Sequence, residues 1–295
     1  MKEAGTNADR GDGSVPVPAP DFALAMTIDS GQVFHWRRTD GGWAGIIGQT
    51  LVRVAQREDG TLLVPPGCEE MVSRYFALDH PLPEIYASFP DDPAMNEALI
   101  HCRGLRVIRQ PAWECLATFI TSALKQVAHI AQISHRLRGR FGQLVDRVGE
   151  VDYHAYPTVE AVAALDELTL RACGLGFRAK SLLATARLLA EGKRDLESIR
   201  ALDDQAALAE LCRFPGVGAK VANCVLLFGY ERLRAFPIDV WIERVLREMY
   251  FARKRKVTTA QLQRFSEKYF GSYGGYAQQY LFHHARKIKA RKAAR

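Results

Sequence analysis

The sequence predicts an α+β fold in which a small N-terminal antiparallel β-sheet is followed by a mostly helical two-part body. Residues 21–66 are rich in β-branched residues, and Asp59-Gly60 lies between two apolar runs, as in a β-hairpin turn. After Pro65-Pro66 the apolar residues recur at helical spacing almost to the end of the chain. An antiparallel β unit followed by helices is typical of the α+β class.

The N-terminal segment predicts a disordered leader, because it is rich in Gly, Pro and Asp and contains no apolar run of the signal-peptide type. We therefore divide the chain into this leader (1–20), a β-rich N-terminal domain (21–105) and a helical domain (106–295). No apolar run reaches the length of a membrane span, so no membrane partner is expected. The expected location is the cytoplasm or nucleoid if the protein is bacterial, and the nucleus if it is eukaryotic.

Charge and cysteine content narrow the class of partner and cofactor. The 295 residues carry a formal net charge of +7, which suits a polyanionic partner without identifying one. The six cysteines include no C-x-x-C pair, so neither a zinc ribbon nor an iron–sulfur loop is predicted. Scattered single cysteines of this kind are typical of reduced core residues in a reducing compartment.

Local signals divide the helical region into successive helices. Asp92 is placed to cap a helix that begins at Pro93 and ends before Gly104. The apolar pattern across residues 111–142 predicts two helices with a break near Lys125. Further helices are predicted, in order, in the stretches PTVEAVAAL, ELTLRACGLG, RAKSLLATARLLAEG, DQAALAELCRF, AKVANCVLLFGY, DVWIERVLREMYF, TTAQLQRFSEKYF and GYAQQYLFHHARKIK.

A tight glycine-rich turn joins two of these helices in the sequence FPGVGAK, residues 214–220. Pro215 fixes one backbone angle, whereas Gly216 and Gly218 permit left-handed or crowded backbone geometry. Backbone N–H groups at the start of the second helix would form an anion site, which a nucleic-acid phosphate could approach closely because side chains are nearly absent. The alternative is a plain helix–helix turn, which glycine often makes.

Two candidate catalytic residues come next: Lys220 at the end of the turn, and Asp239 just before a helix with apolar residues at helical spacing. Breaking an N-glycosidic bond builds positive charge on the sugar, and a nearby carboxylate stabilises that charge. An amine in an apolar pocket can lose its proton and attack the sugar carbon, which leads to a Schiff base and to strand cleavage by β-elimination. Each residue also has a structural explanation, since Asp is a good N-cap and a first-turn lysine can simply bind a phosphate.

The pattern Pro-Gly-Val-Gly-x-Lys-x-Ala, followed by this aspartate, resembles the bifunctional members of the helix-hairpin-helix DNA glycosylases. The resemblance implies that Lys220 is the nucleophile and Asp239 its electrostatic partner. It implies that no cofactor is required, and no iron–sulfur cluster is expected because the chain lacks the cysteine loop of the members that carry one. The hairpin residues implied to contact DNA are Gly216, Val217 and Gly218, and the carbonyls implied to hold a K⁺ or Na⁺ ion are those of Cys212, Phe214 and Val217.

Between residues 24 and 287 the stretches SGQVFHW, PAWECLATFITS, LGFRAKSL and SYGGYAQQYLF resemble the 8-oxoguanine DNA glycosylases. The resemblance implies a slot for an extruded base. Gly31 would offer its carbonyl to the N7–H of the oxidised base, and Gln278 would read its Watson–Crick edge. Phe282 and Cys224 would form the two walls. Taken singly, the Cys and the Phe are as easily explained as core residues.

Several positions depart from that family. His129 stands where an arginine usually faces the orphaned cytosine, while Trp241 and Ala285 replace a histidine and its acidic partner. The departures imply an altered pocket wall that includes Trp241, and a weak demand for cytosine opposite the lesion. The residues implied near the lesion gap and the partner base are Leu124, Lys125, Gln126, His129, Phe177 and Arg178.

The sequence therefore supports a monomeric DNA glycosylase/AP lyase of base excision repair that acts on double-stranded DNA containing a damaged base. The expected substrate is an oxidised purine, 8-oxoguanine before others, with a relaxed preference for the opposite base. Two alternatives stay open: a glycosylase for alkylated bases of the 3-methyladenine type on the same fold, and a non-catalytic hairpin protein that only binds DNA.

Overall fold

The computed structural model describes residues 13–122, 125–252 and 256–293. Five strands build an N-terminal antiparallel sheet: β1 (Val15–Val17), β2 (Arg37–Thr39), β3 (Gly42–Ile47), β4 (Thr50–Gln56) and β5 (Leu62–Val64). Their order across the sheet is β1-β5-β4-β3-β2. A helical body follows, which confirms the predicted α+β fold class.

The hairpin predicted at Asp59-Gly60 is present between β4 and β5. These strands pair antiparallel, with Ala55 opposite Leu63. Gly60 has a φ of +89°, in the left-handed region where glycine is favoured, so the turn needs this residue for its backbone geometry.

The prediction of a disordered leader through residue 20 is wrong for residues 15–17, which form β1 and pair with β5. Val17 is buried against the sheet, and Pro16 is tolerated because the strand lies at the sheet edge, where a missing N–H breaks no ladder. Pairing with β5 and burial of Val17 order this three-residue strand, although the Gly and Pro content around it predicts disorder.

The described ranges contain fourteen α-helices, the first of which lies between β1 and β2: α1 (Leu24–Asp29), α2 (Glu69–Tyr75), α3 (Leu82–Ala87), α4 (Pro93–Cys102), α5 (Ala112–Ser122), α6 (Val127–Phe141), α7 (Val159–Ala163), α8 (Glu167–Leu170), α9 (Arg178–Ala190), α10 (Asp204–Cys212), α11 (Ala219–Gly229), α12 (Val240–Tyr250), α13 (Thr259–Tyr269) and α14 (Gly274–Ala293). A π-helical turn covers Arg171–Leu175, and 3₁₀ turns cover Glu197–Ala201 and Gly271–Tyr273. The cap predicted for α4 is confirmed, since Asp92 accepts a hydrogen bond from the N–H of Met95 at 2.9 Å. The break predicted near Lys125 is also confirmed, because it lies between α5 and α6.

Two elements differ from the sequence-based expectation. Residues 24–29 fall in the stretch predicted as strands but form α1, which buries Leu24, Thr27 and Ile28 at helical spacing. The helical body contains a hairpin that the sequence did not indicate, β6 (Leu144–Val148) and β7 (Val151–His154). Most of the β6 side chains are exposed or half-buried, so the apolar alternation that identifies a strand is weak there.

The hydrophobic core joins distant parts of the chain. One cluster lies under the N-terminal sheet, and a larger one fills the helical body. The larger cluster includes Ile85 and Met95 of α3 and α4 together with Tyr276 and Tyr280 of α14. The N-terminal helices therefore buttress the C-terminal helix. Among the described residues no helix is both long and apolar enough to cross a bilayer.

Candidate active site

The glycine-rich turn between α10 and α11 places its two glycines in different surroundings. Gly216 has a φ of +78°, and a Cβ added there would lie 2.6 Å from Cβ of Ser181 on α9. Gly218 has an ordinary φ of −103°, and an added Cβ would meet no atom within 4 Å. Gly216 is thus required by the fold, whereas Gly218 keeps the surface in front of the α11 N-terminus open.

The start of α11 carries Lys220 and, one turn later, Cys224. Lys220 is half-buried, and its ammonium nitrogen lies 5.3 Å from the centre of the Phe119 ring. Cys224 is 4% exposed, and burial raises the pKa of its thiol to about 11, although the Lys220 charge lowers it somewhat. Cys224 is therefore a neutral, polarizable wall next to the lysine rather than a thiolate nucleophile.

Asp239 caps α12 and faces the same region. Its Oδ1 accepts hydrogen bonds from the N–H groups of Trp241 at 3.0 Å and Ile242 at 2.9 Å. Burial raises the pKa of this carboxyl, while the two N–H groups and the Lys220 charge lower it. The cap bonds occupy one oxygen and hold the carboxylate in place, so the capping contact is compatible with the predicted chemical role.

These residues share a cavity of about 820 Å³. A volume of this size is in the range of small-molecule sites and can take a purine with part of its sugar. The sequence-predicted residues that line it are Gly31, Lys125, Gln126, Lys220, Cys224, Asp239, Trp241, Gln278 and Phe282.

One face of α14 forms a long wall of this cavity. Gln278, Phe282 and Arg286 follow at intervals of one turn, and all three line it. Gln278 is 3% exposed, and its Oε1 accepts a hydrogen bond from Gln279 Nε2 at 2.8 Å. The Gln278 amide is thereby oriented by its neighbour, while the Phe282 ring stands one turn further along the wall.

Arg286 is a site residue that sequence reasoning missed. Its guanidinium carbon lies 5.3 Å from the centre of the Phe282 ring, and Nη1 donates to the carbonyl of Ser30 at 3.0 Å. Its charge also lowers the pKa of Asp239. The sequence does contain an indication of Arg286: it lies one helical turn after Phe282, as Phe282 lies one turn after Gln278.

Gly31 lies between α1 and β2, where the chain passes the α14 wall. Its φ is +91°, and a Cβ added there would lie 2.8 Å from Arg286 Nη1 and 3.2 Å from a Phe282 ring carbon. No other residue fits this position without movement of the slot wall. The glycine therefore allows the backbone to approach the base slot closely.

The residues predicted near the partner base form a second group at the edge of the cavity, which Lys125 and Gln126 also line. Lys125 Nζ donates to the carbonyl of Gly174 at 3.1 Å, and burial together with Arg178 lowers its pKa. The Phe177 side chain is 67% exposed, and the Arg178 guanidinium lies beneath it, 4.3 Å from the ring centre. Arg178 itself is buried, so the ring and not the guanidinium is presented at this surface.

The remaining predicted positions divide into three kinds. His129 is exposed, and a Cβ added at Gly174 would lie 3.7 Å from its Nε2, so it belongs to the second group. Leu124 lies outside the described residues. Ala285 does not line the cavity, whereas Trp241 does.

The carbonyls predicted to hold a monovalent cation lie at the same hairpin. Cys212 is the last residue of α10, and carbonyls at a helix C-terminus lack intrahelical partners. The Phe214 carbonyl accepts from the N–H of Val217 at 3.1 Å, which leaves it a second lone pair. Uncharged carbonyl oxygens at a turn are suitable ligands for Na⁺ or K⁺, so the residues present fit such an ion.

Aromatic residues that sequence reasoning did not single out form the floor of the cavity. Phe119 of α5 stacks on Phe228 of α11 with ring centres 5.4 Å apart, and Phe34 meets Phe119 edge to face at 6.4 Å. They create the apolar surroundings of Lys220. Phe119 belongs to the PAWECLATFITS stretch, but only its distance from Lys220 in the fold identifies it as part of the site.

Two family models match adjacent parts of the chain. The model described as "8-oxoguanine DNA glycosylase, N-terminal domain" matches residues 14–116. The model described as "HhH-GPD superfamily base excision DNA repair protein" matches residues 117–270. Together they span the N-terminal sheet, the hairpin and both residues of the Lys220–Asp239 pair.

Individual proteins are similar to this chain over most of their length. The chain is 30% identical to a probable N-glycosylase/DNA lyase of Methanothermobacter thermautotrophicus, over 92% of this chain and 96% of that protein. It is 29% identical to the N-glycosylase/DNA lyase OGG1 of Arabidopsis thaliana, over 89% of this chain and 77% of that one. The crystal structure of the Clostridium acetobutylicum 8-oxoguanine glycosylase/lyase, bound to double-stranded DNA with cytosine opposite 8-oxoG, superposes with a TM-score of 0.88. It is 32% identical and covers 94% of this chain and 96% of its own.

Proposed function

Since the chain belongs to the HhH-GPD superfamily of base excision DNA repair proteins, among its N-glycosylase/DNA lyases, we propose that it excises 8-oxoguanine from double-stranded DNA and then cleaves the strand. The observation that carries the proposal is the single cavity of about 820 Å³ that Lys220 and Asp239 share with Gly31, Gln278 and Phe282. This arrangement combines a nucleophile, a carboxylate and a base slot, which are the parts that the reaction needs.

The slot is suited to a flipped-out purine. Phe282 provides a flat wall, and the neutral, buried Cys224 provides a polarizable one. The Gln278 amide can pair with the Watson–Crick edge, and the Gly31 backbone can accept from the N7–H that distinguishes 8-oxoguanine from guanine. The apolar floor under Lys220 excludes water from the reacting carbon.

The chemistry then follows from the two polar groups. The Lys220 amine forms a bond to C1′ while the bond from C1′ to the base breaks, and the electron pair of that bond leaves with the base, which takes up a proton. Asp239 stabilises the positive charge that builds on the sugar. The sugar ring opens to a Schiff base, a proton leaves C2′, and the 3′ phosphate departs by β-elimination.

The surroundings of the slot hold the DNA. The open α11 N-terminus at Gly218 accepts a phosphate, and the exposed Phe177 ring enters the space that the lesion vacates. His129 offers a single imidazole at the position facing the partner base, in place of an arginine fork, so the preference for cytosine is relaxed. The protein acts as a monomer and requires no cofactor, and its hairpin carbonyls can hold a structural Na⁺ or K⁺ ion.

The nucleophile is tested by reduction of the covalent intermediate. The Lys220→Gln protein should bind an 8-oxoguanine duplex but give no adduct after borohydride treatment, because no amine reaches C1′. Lys125→Gln is the matched control, since Lys125 lines the same cavity and its loss should weaken DNA binding without abolishing the adduct. An adduct that persists in Lys220→Gln would show that another amine is the nucleophile.

The substrate is tested separately with duplexes that each contain one lesion opposite each of the four bases. Excision of 8-oxoguanine with less than about tenfold variation among opposite bases is expected. Release of 3-methyladenine with no action on 8-oxoguanine would favour the alkylated-base alternative. A protein that incises none of the duplexes would be a DNA-binding module only.

A further inference from the structure

A second cavity, of about 420 Å³, lies between α1, α4 and α14 and is separate from the base slot. Glu97 and His101 of α4 line it together with His284 of α14. We propose that these three side chains bind a divalent transition metal of the zinc class and so clamp α4 to α14. The proposal concerns a different cavity from the proposed reaction and does not depend on it.

The three side chains already lie at the spacing of a metal site. Glu97 and His101 are separated by one helical turn, so both project from the same face of α4. The His101 and His284 rings stack with centres 4.7 Å apart, and Nε2 of His284 lies 3.7 Å from Oε1 of Glu97. One ligand atom from each residue lies within 4.8 Å of the others.

The orientation of His101 is suited to metal binding. Its Nδ1 lies 2.8 Å from the backbone carbonyl of Glu97, and a carbonyl can only accept, so Nδ1 carries the proton. Nε2 is then left with the lone pair that a metal requires. A hydrogen bond from the second ring nitrogen to a carbonyl is a common support for histidine ligands.

A neighbouring histidine provides a second observation. His283 is 4% exposed and lines the same cavity, and its Nδ1 has no hydrogen-bond partner within the described part of the chain. A buried ring nitrogen without a hydrogen-bond partner is costly for a protein, and a metal-bound water in the cavity would satisfy the Nδ1 atom of His283.

The donor set favours zinc over the alkaline-earth ions. Two imidazoles with one carboxylate are typical zinc ligands, and a water completes four-coordination. Ligand atoms in a tetrahedral zinc site are about 3.4 Å apart, so Glu97 and His101 would have to move inward by about an ångström. Both are exposed and free to do so, whereas the buried His284 is fixed by packing.

Charged side chains around the cavity both favour and oppose the binding of a cation. Asp29 lines it and adds a negative charge, while Lys287 lines it and opposes a cation. Because Lys287 is exposed, its ammonium can turn to solvent when a metal binds. The site would therefore bind zinc with moderate affinity. A bound ion would brace α14, the helix that also carries Gln278 and Phe282 of the base slot.

The proposal is tested by titrating the full-length protein with Zn²⁺ near pH 7.5 while heat of binding and melting temperature are measured. One equivalent should bind, and at a hundredfold excess over Kd the melting temperature should rise by about 5 °C. His101→Ala and Glu97→Gln change exposed positions, so both should fold, and each should weaken zinc binding about tenfold or more. Co²⁺ should give the visible spectrum of a tetrahedral site in the wild type only.

Two controls separate this site from other zinc ligands. Cys212 is an exposed free cysteine, and Cys212→Ser should leave zinc binding unchanged. His154→Ala removes a histidine on β7 that lines a different cavity, and this variant should also bind zinc normally. Unchanged zinc binding in His101→Ala, or no stoichiometric binding to the wild type, would overturn the proposal. Neither result would bear on lesion excision, because the excision assays can be run with a chelator that removes zinc.

Discussion

Asp239 combines a structural contact with the position that the proposed chemistry requires. Its Oδ1 caps α12 through two N–H groups, as an aspartate does at many helices. Burial raises its pKa, whereas the cap bonds and the charges of Lys220 and Arg286 act in the opposite direction. The carboxylate is thus kept in a largely buried site, where a positive charge on a bound sugar would be stabilised more strongly than by an exposed carboxylate.

Asp239→Asn should separate these two roles. Asparagine accepts the same cap bonds but carries no charge, so excision should fall by about 10²–10³-fold in single-turnover assays. Since the folded-state pKa is raised above 3.8, ionised Asp239 lowers stability at neutral pH, and the penalty is lost as pH falls through the folded pKa. The variant should therefore melt higher than the wild type at pH 7.5, by a margin that shrinks in acid.

The matched control is Asp203→Asn, which changes the cap of α10. Asp203 accepts from the N–H of Ala206 at 2.8 Å, but it is exposed and does not line the base cavity. Its asparagine variant should excise at the wild-type rate. Equal losses of excision in the two variants would mean that Asp239 matters only as a cap.

Arg286 is expected to set how well the slot distinguishes the lesion. It fixes the Ser30 carbonyl and covers the Phe282 ring, so it determines where the Gly31 backbone stands relative to the base. Arg286→Leu should lower the discrimination between 8-oxoguanine and guanine by about tenfold, the effect of losing one hydrogen bond from a charged group. Competition binding with the two duplexes measures this ratio directly.

The neighbouring Lys287→Leu variant removes the same charge without touching the Ser30 loop. It should weaken binding to both duplexes equally and leave their ratio unchanged. Arg286→Lys should give an intermediate ratio, because an ammonium keeps the charge but lacks the planar fork. A ratio that falls equally in Arg286→Leu and Lys287→Leu would show that charge alone is responsible.

At the scale of elements, the α10–α11 hairpin shows two glycines with separate functions. Gly216 needs a left-handed backbone and contact with Ser181, so Gly216→Ala should destabilise the protein by about 1–3 kcal/mol. Gly218→Ala adds a methyl group to open space at an ordinary φ, so stability should change by less than about 0.5 kcal/mol. Gly218→Ala should nevertheless weaken duplex binding, since its Cβ obstructs the phosphate approach. Chemical denaturation and fluorescence anisotropy measure the two effects, and equal stability losses would contradict this division.

Elements with local signals were predictable from the sequence, whereas elements defined by distant packing were not. The Asp92 cap and the Gly60 turn are set by neighbouring residues, and both are present as expected. The β6–β7 hairpin is stabilised by contact of Tyr153 and Ala155 with Ala44 and Ile46 of the N-terminal sheet. That contact spans about a hundred residues, so no local window contains it.

For the whole molecule, the base slot shows why the site could be predicted only in part. Its walls come from the loop after α1, from α5 and α6, and from the starts of α11 and α12 and one face of α14. The predicted residues Gln278 and Phe282 lie on one helix, so their common face could be read from their spacing in the sequence. Phe119 and the interaction of Arg286 with Ser30 depend on how separate helices meet, and sequence spacing does not carry that information.

The net charge of the whole molecule leads to a prediction about how salt affects DNA binding and lesion recognition. With a net charge of +7, binding to any duplex should weaken with salt, by a log–log slope of about −0.9 for each phosphate neutralised. The slot walls Cys224, Gln278 and Phe282 are uncharged and release no counterions. Duplexes with and without 8-oxoguanine should therefore share one slope and differ by a constant factor at every salt concentration.

Two variants should separate the uncharged contribution to lesion preference from the electrostatic contribution to DNA binding. Phe282→Ala should reduce the preference for the lesion and keep the slope, because it removes stacking alone, about 1–3 kcal/mol for a base on an aromatic ring. Lys125→Gln should make the slope shallower by about one and keep the preference. Anisotropy titrations from 50 to 300 mM KCl measure both quantities. If the lesion preference of the wild type itself falls steeply with salt, then a charged group in the slot wall, Arg286 first, recognises the lesion electrostatically and the uncharged slot is insufficient.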